Sequence, residues 1–404
     1  MGPKKCKIFS SIFCNSAFDN HKSLLKALEI IKIVKSVVAV KNVLVDLSKL
    51  GRFCGFAEVS ENFGKYLAEM DVPDIHFVYM VPRRFFGHFG NNVSYVSLEN
   101  PLADLKRLGI KIDLWHATDQ LFKFRLRAKD ISQLLTVHDL ITVHKKKGIH
   151  KFKHSIKLFL RIFNSDHISV ISHYVEDDLE NWYSLANRPV TVIPDGVREL
   201  EKDSRTKPAF ASESGKFFLA VGQVCPRKNY EPIMAMMKHF PEHKLYICGV
   251  CDSGYSRRLK EALKSSEMKD RILLTGGVSD TEKNWLYANC EAFLMPSLME
   301  GFSLPVVEAM RFRKPVFCAN ATSLPEVGDR YAFYWNDFAP EKMAEVVRNG
   351  LASFSPETDG AAEYEYSRRY TYSEFTLKYL ELYRTILYSP KEGTLARMRF
   401  FFSR

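Results

Sequence analysis

Two carboxylates, Glu300 and Glu308, stand eight positions apart in residues 294–310. Residues 292–295 ahead of them are apolar and read as the end of a buried strand, which Pro296-Ser297 breaks. Gly301 permits a tight turn, and Pro305 suits the first turn of a helix, where no backbone N–H is needed. One acid therefore lies in a turn and the other in the first turns of the next helix. Backbone N–H groups exposed at such a helix start attract anions and sugar oxygens. A second constellation is Arg227-Lys228, which follows Gly222. Arginine grips phosphate oxygens with a planar fork and lysine adds a point charge, so the pair suits a diphosphate. A third comprises His116, Asp119, His138 and Asp139. Each has an ordinary alternative: surface acids on an amphipathic helix, a surface basic pair, or histidines hydrogen-bonded for structure.

For these groups to act together, strands must deliver them to one cleft. Apolar runs at 43–48, 75–81, 93–98, 114–116, 134–137, 167–171 and 190–193 read as strands, with helices at 57–69, 151–163 and 174–184 between some of them. Strand and helix alternation argues a parallel sheet. The first strand runs into a loop containing Gly51 and Gly55, the opening of a doubly wound unit. His116–Asp119 and His138-Asp139 then fall at strand carboxyl ends, facing a cleft. After Val197 comes a polar, charged stretch, 198–215, which reads as a linker. The pattern restarts at 216–222 and continues with strands at 244–248, 271–274, 292–295 and 315–318 and an amphipathic helix at 372–387. Residues 1–41 read as a basic extension whose Leu24, Leu25, Leu28 and Ile31 fall at helical spacing, and 389–404 as a basic, aromatic tail.

At 404 residues the chain can bury large cores and form two or three domains. Its net charge of +11 draws it to anionic surfaces. No RNA- or DNA-binding motif accompanies that charge, which favours acidic lipid and nucleotide phosphates over nucleic acid. Neither G-x-G-x-x-G nor G-x-x-x-x-G-K-[ST] occurs, which weakens a dehydrogenase and a P-loop nucleotidase. Cys248 and Cys251 form a lone C-x-x-C, and Cys248 lies within an apolar strand, so packing explains it better than zinc. The scattered cysteines fit a reducing cytoplasm. No run reaches the length of a membrane-spanning helix, and no signal peptide is evident.

Glu300-Gly-Phe-Ser-Leu-Pro-Val-Val-Glu308 resembles the E-x7-E signature of the retaining GT-B glycosyltransferases of family 4. Gly222-Gln-Val-Cys-Pro-Arg227-Lys228-Asn229 resembles the same family's G-x-x-x-x-R-K-N segment. The likeness covers about residues 42–388 and is stronger in the second half. It implies an α/β GT-B fold of two doubly wound Rossmann-like domains facing a central cleft. Residues 42–197 would bind acceptor and 216–370 the nucleotide sugar, with 371–388 crossing back to pack on the first domain. It implies a catalytic set of Arg227, Lys228, Glu300 and His138. Glu300 and the amides of Gly301 and Phe302 would hold sugar hydroxyls, and Glu308 the ribose. Gly222, Val278, Ser303 and Leu304 would complete the donor site, with Gly51, Gly55, His116, Asp119 and Asp139 on the acceptor side. Some members carry a further histidine where this chain has Thr118 and Asp119, and Arg313-Lys314 replace a usual Gly-x.

The implied reaction moves a hexose, with mannose slightly favoured, from a GDP- or UDP-sugar to a lipid-linked or polysaccharide acceptor in envelope glycan synthesis. The sugar nucleotide is a substrate, and no cofactor is implied. The chain has no Asp-x-Asp, so Arg227, Lys228 and helix-start amides are expected to neutralise the leaving diphosphate without a metal. Placement in the cytoplasm, peripheral on an anionic membrane, is expected from the basic extension and tail. Alternatives are a sugar phosphorylase or nucleotide-sugar epimerase of the same fold, or a non-catalytic membrane-associated partner.

Overall fold

The computed structural model describes residues 39–388, apart from 53–54, 123, 125, 127–129, 146–147, 186, 199–203 and 212–214. The expected helix in the extension and the tail 389–404 lie outside the described residues.

The first sheet has seven strands: β1 (Lys41–Asp46), β2 (Ile75–Val81), β3 (Ser94–Ser97), β4 (Leu114–Ala117), β5 (Ser132–Val137), β6 (His167–Val170) and β7 (Val190–Val192). Their order is β3-β2-β1-β4-β5-β6-β7, and every pair is parallel. The second sheet has six: β8 (Lys216–Val221), β9 (His243–Cys248), β10 (Ile272–Gly276), β11 (Ala292–Met295), β12 (Val316–Ala319) and β13 (Ala332–Trp335). They run β10-β9-β8-β11-β12-β13, again all parallel. Parallel strands are covered by helices on both faces, so they are apolar along their whole length rather than alternating. Ala-Phe-Leu-Met of β11 and Val-Phe-Cys-Ala of β12 are buried at every position. Burial pushes the Cys248 thiol up to about 12, as suits a packed cysteine.

This topology dictates where ligands can sit. The chain leaves β1 toward β2 and returns on its other side at β4; it leaves β8 toward β9 and returns at β11. Each reversal opens a crevice at the strands' carboxyl ends, the position where open α/β sheets bind ligands. Thr118 and Asp119 lie just past β4, and Gly222 just past β8, with Pro296 just past β11.

The strand β13, Ala-Phe-Tyr-Trp, is an addition to the sequence reading. It is an edge strand whose first three residues are half-buried, so it lacks the continuous apolar signature. The helix Tyr372–Tyr388 returns to the first domain. Phe375 and Tyr379 each lie 5.1 Å from Phe63, ring to ring, and Tyr372, Tyr379 and Tyr383 are fully buried. Each buried aromatic contributes roughly 1.5–3 kcal/mol. The Arg384–Asp74 ion pair at the helix end, 2.8 Å but half-exposed, adds at most about 1 kcal/mol, so packing holds this helix down. Among the described residues no helix is long and apolar enough to cross a membrane.

Candidate active site

The second domain's side of the crevice is built on the β8 turn. Gly222 has φ +149°, and a Cβ there would lie 2.8 Å from Lys228 Cε. Glycine is what lets the lysine lie back against the strand end. Residues Pro226–Lys228 form a single 3-10 turn, and Asn229 follows in the left-handed region at φ 52°. This turn aims Arg227 and Lys228 at the turn after β11. Lys228 Nζ lies 2.7 Å from one Glu300 oxygen, and Arg227 Nη1 lies 2.9 Å from each. Lys228 and Glu300 are buried. The turn carrying Glu300 is itself fixed: Leu298 N–H donates to Arg227 O at 2.8 Å and Glu300 N–H to Thr322 Oγ1 at 3.0 Å. Burial opposes the charge on Glu300, but Lys228 and then Arg227 outweigh it and hold the carboxyl below its usual range. Burial pulls Lys228 below the ordinary lysine range against the attraction of Glu300. The result is a two-cation, one-anion cluster with net positive charge at a strand-end crevice.

Beside it, Ser303 takes φ 103°, an unfavourable backbone for a serine, and its Oγ is buried without a hydrogen-bond partner. Strain of this kind is stored where a backbone must present particular groups. It starts the helix Leu304–Arg311, where Pro305 carries no N–H and the Val306 N–H donates to Ser303 O at 3.2 Å. Glu308 lies further along and engages a separate set of partners. Lys283 Nζ is 2.7 Å from one oxygen, and Tyr287 donates its hydroxyl to the other at 2.7 Å. The two glutamates therefore do not form a pair. Burial opposes charge on Lys283, but Glu308 and Glu58 raise its affinity for a proton. Glu58 belongs to the first domain's helix Gly55–Glu69 and is pushed up by burial and by Glu308. Val278 is half-buried in the loop before the helix Asp280–Asn289.

On the facing half, His138 sits just past β5 and is buried. Its Nε2–H donates to Thr118 O at 2.8 Å, and its Nδ1 lies 3.7 Å from Asp195. Burial works against its charge, but Asp195 and then Asp119, with the Thr118 carbonyl, raise it to about 9. His138 is thus an imidazolium at neutral pH, a fixed positive charge rather than a base. Asp119 pairs with Lys49 at 2.6 Å. Burial raises Asp139, partly offset by the Ile141 amide, His138 and Arg227. Gly55 faces the second domain, with Leu304 Cδ1 4.0 Å from where a Cβ would stand. Gly51 is exposed at φ +72° and packs on Arg84 and Phe85.

His116 departs from its expected place on the acceptor side. Its side chain turns under the helix Tyr372–Tyr388, with Tyr383 OH 2.6 Å from Nδ1 and Thr136 Oγ1 2.8 Å from Nε2. Burial drives it down to about 3, so it is a neutral core residue. The reason is register: His116 pairs with Val45 in mid-sheet, one residue short of the strand's end.

The halves are closed on one another. Gly301 meets the His138 carbonyl so closely that a Cβ would lie 2.0 Å from it. Ser172 donates to Gly301 O at 2.7 Å. Glu326, from the second domain, accepts the His173 and Tyr174 amides at 2.9 and 3.0 Å, capping the first domain's helix His173–Trp182. At the crossover, Arg311 donates to the carbonyls of Val197, Arg198 and Tyr370. Asp195, Ser172, Glu326, Lys283, Tyr287 and Glu58 were absent from the sequence-derived site. They become site residues through contacts distant in sequence, as Glu326 does with the His173 and Tyr174 amides. No group of three or more His, Cys, Asp or Glu side chains among the described residues is arranged to hold a metal ion.

Comparison with known proteins gives the family and the fold. Residues 58–199 match the model described as Glycosyltransferase Family 4, and 201–351 that of Glycosyl transferases group 1. The chain is 26% identical over 221 residues to the O-antigen chain mannosyltransferase RfbU of Salmonella typhimurium, covering 54% of this chain and 60% of that one. It is 22% identical over 358 residues to the serotype-specific mannosyltransferase WbdA of Escherichia coli, covering 78% of this chain and 42% of that one. The chain thus spans about half the length of these curated relatives. Anabaena Alr3699/HepE, solved with UDP and glucose, superposes with a TM-score of 0.66 at 15% identity, covering 85% of this chain and 100% of that one. Two parallel sheets reversing at facing crevices, and two family models that together run from residue 58 to 351, place this chain among the family 4 glycosyltransferases of GT-B fold.

Proposed function

We propose that this chain transfers a hexose, mannose in preference, from a GDP- or UDP-sugar to a lipid-linked or polysaccharide acceptor of an envelope glycan. The transfer retains anomeric configuration, needs no metal, and takes place on the cytoplasmic face of a membrane. The observation that carries the reading is the Arg227–Lys228–Glu300 cluster at the β8/β11 reversal, with Lys228 and Glu300 buried and Arg227 half-buried. Breaking the sugar–phosphate bond puts growing negative charge on the diphosphate. Two cations held in a low-dielectric crevice stabilise that charge without reorganising. Glu300 orients both cations and presents carboxylate oxygens to the sugar hydroxyls, while Glu308, fixed by Lys283 and Tyr287, serves the ribose. His138, as an imidazolium, adds positive charge opposite and takes up no proton. The proton of the acceptor hydroxyl then goes to the departing phosphate, with attack on the face the diphosphate leaves. Closure through Gly301 and Glu326 excludes water from this step. That RfbU and WbdA are mannosyltransferases supports mannose, and the UDP-bound neighbour keeps a uridine donor open.

The test incubates the full chain with GDP-mannose or UDP-glucose and lipid-extracted acceptor, with and without EDTA. The expected result is release of one nucleoside diphosphate, unaffected by EDTA, and a product anomer matching the donor. Turnover abolished by EDTA, or inverted product, overturns the mechanism. Absence of a melting shift with either nucleoside diphosphate, in wild type as in Lys228→Ala, overturns the transferase reading.

A further inference from the structure

The helix Gly148–Asn164 has two apolar faces. One buries Leu158 and Ile162, with Arg161, toward the first sheet. The other carries Ile149, Phe152, Ile156, Leu160 and Phe163, whose steps of three and four residues align as one stripe. All five are exposed, Phe152 by 61% and Ile149 by 59%. Single exposed apolar residues are ordinary, but a continuous stripe marks an interface. Trp182 extends it: its ring is 41% exposed and lies 4.2 Å beneath Lys151 Nζ.

Charge decides what covers the stripe. No Asp or Glu occurs between Asp139 and Asp166, whereas that interval contains Lys145, Lys146, Lys147, Lys151, Lys153 and Lys157. The chain's own residues 1–38 are an unsuitable cover, since they carry seven lysines against Asp19 and Glu29. A second copy would bring the same basic stripe against itself. Along its own helix the stripe is edged only by cations, while the helix His173–Trp182 that brings Trp182 carries Glu176, Asp177, Asp178 and Glu180, of which Asp178 is paired with His144. An apolar stripe with cations on its own helix fits a surface that is apolar inside and anionic at its rim.

We propose that the Ile149–Phe163 face of this helix seats the chain on a bilayer containing anionic lipid. The helix's inner side adjoins a cavity of about 220 Å³, lined by Asp139, Leu140, His154, Lys157 and Arg161, which opens beside the His138 strand end. Docking on this face therefore brings the membrane surface to the acceptor half of the cleft. That consequence rests on the transferase reading; the docking itself does not.

The test is flotation of the full chain with vesicles of phosphatidylethanolamine and phosphatidylglycerol (3:1), beside phosphatidylcholine alone. Binding is expected only to the anionic vesicles, and to weaken in 0.5 M NaCl. Lys145→Gln with Lys153→Gln should lower the partition coefficient roughly thirty-fold. Phe152→Ser with Ile156→Ser should lower it at least about tenfold, with melting and nucleoside-diphosphate stabilisation unchanged. Three results overturn the proposal: wild-type partition by both variants; vesicle binding lost instead in Lys26→Gln with Lys32→Gln; or a solution dimer that Phe152→Ser with Ile156→Ser dissociates. Vesicle binding without sugar transfer would leave the docking face standing and remove the transferase reading.

Discussion

Replacing Glu300 by glutamine isolates the cluster's electrostatics with little change of shape. In the native site one carboxylate, 7% exposed, serves Lys228 at 2.7 Å and Arg227 at 2.9 Å. The amide keeps an oxygen but no charge, so two cations remain at the crevice without a counter-ion. Removing one partner of a buried ion pair costs about 3–5 kcal/mol. At about 2–4 °C per kcal/mol for a domain of this size, the melting point should fall by roughly 6–20 °C. Lys228 offers partial relief, because burial already lowers its affinity for a proton and the loss of Glu300 lowers it further. A lysine with depressed folded pKa destabilises most when protonated, so the deficit of the mutant should shrink as pH rises toward 9. Ligand binding should move the other way. With Glu300 gone, a bound nucleoside diphosphate supplies both cations with the anion they have lost. One additional charge-assisted hydrogen bond contributes about 1.5–3 kcal/mol, or about ten- to a hundredfold tighter binding of the diphosphate product. Sugar transfer should nevertheless slow. The measurements are thermal melts from pH 6 to 9.5 and titration calorimetry with GDP and UDP. A mutant as stable as wild type, or one that binds both diphosphates less tightly than wild type, would refute the reasoning.

Three further outcomes follow from the same structure. His138 is raised from 6.5 to about 9, so it contributes on the order of 3 kcal/mol that is fully present below pH 6.5 and lost as pH rises through 9; His138→Asn should flatten the stability–pH curve across that window. Glu363 is buried with neither carboxyl oxygen hydrogen-bonded, and burial and then Asp359 push it to about 9. Its raised pKa makes folding weaken by about 1.4 kcal/mol per pH unit above 4.5, so Glu363→Gln should gain on the order of 3 kcal/mol at pH 7 and lose that slope in denaturant titrations. Gly301→Ala places a methyl into the His138 carbonyl; each domain should melt nearly as before while small-angle scattering shows an opened molecule, and a closed mutant would contradict the contact.

Much of this was legible from composition and order alone. Parallel strands buried on both faces must be apolar throughout, so Val43–Val45, Leu245–Cys248 and Ala292–Met295 announced themselves, and glycine and proline marked the turns where chemistry collects. Gly222, Arg227, Lys228 and Glu300 were readable because each group's setting is a local strand–turn–helix. Local pattern is blind to three things. It did not show that Glu300 and Glu308, eight residues apart, look to different partners, because rotation along the turn and helix separates their side chains. It did not show that His116 is core while His138 faces the cleft, because register and the overlying helix Tyr372–Tyr388, more than 200 residues later, decide that. Nor did it show that Asp195, which the first domain's own folding brings beside His138, sets the charge of that imidazole, or that Glu326 caps a helix of the other domain, a coupling that exists only once the domains close. Sequence determined which residue types stand at the ends of which strands. Tertiary structure decided which of them share a buried, low-dielectric space, and burial is what turns an ordinary lysine, glutamate or histidine into a group with fixed charge and a fixed partner.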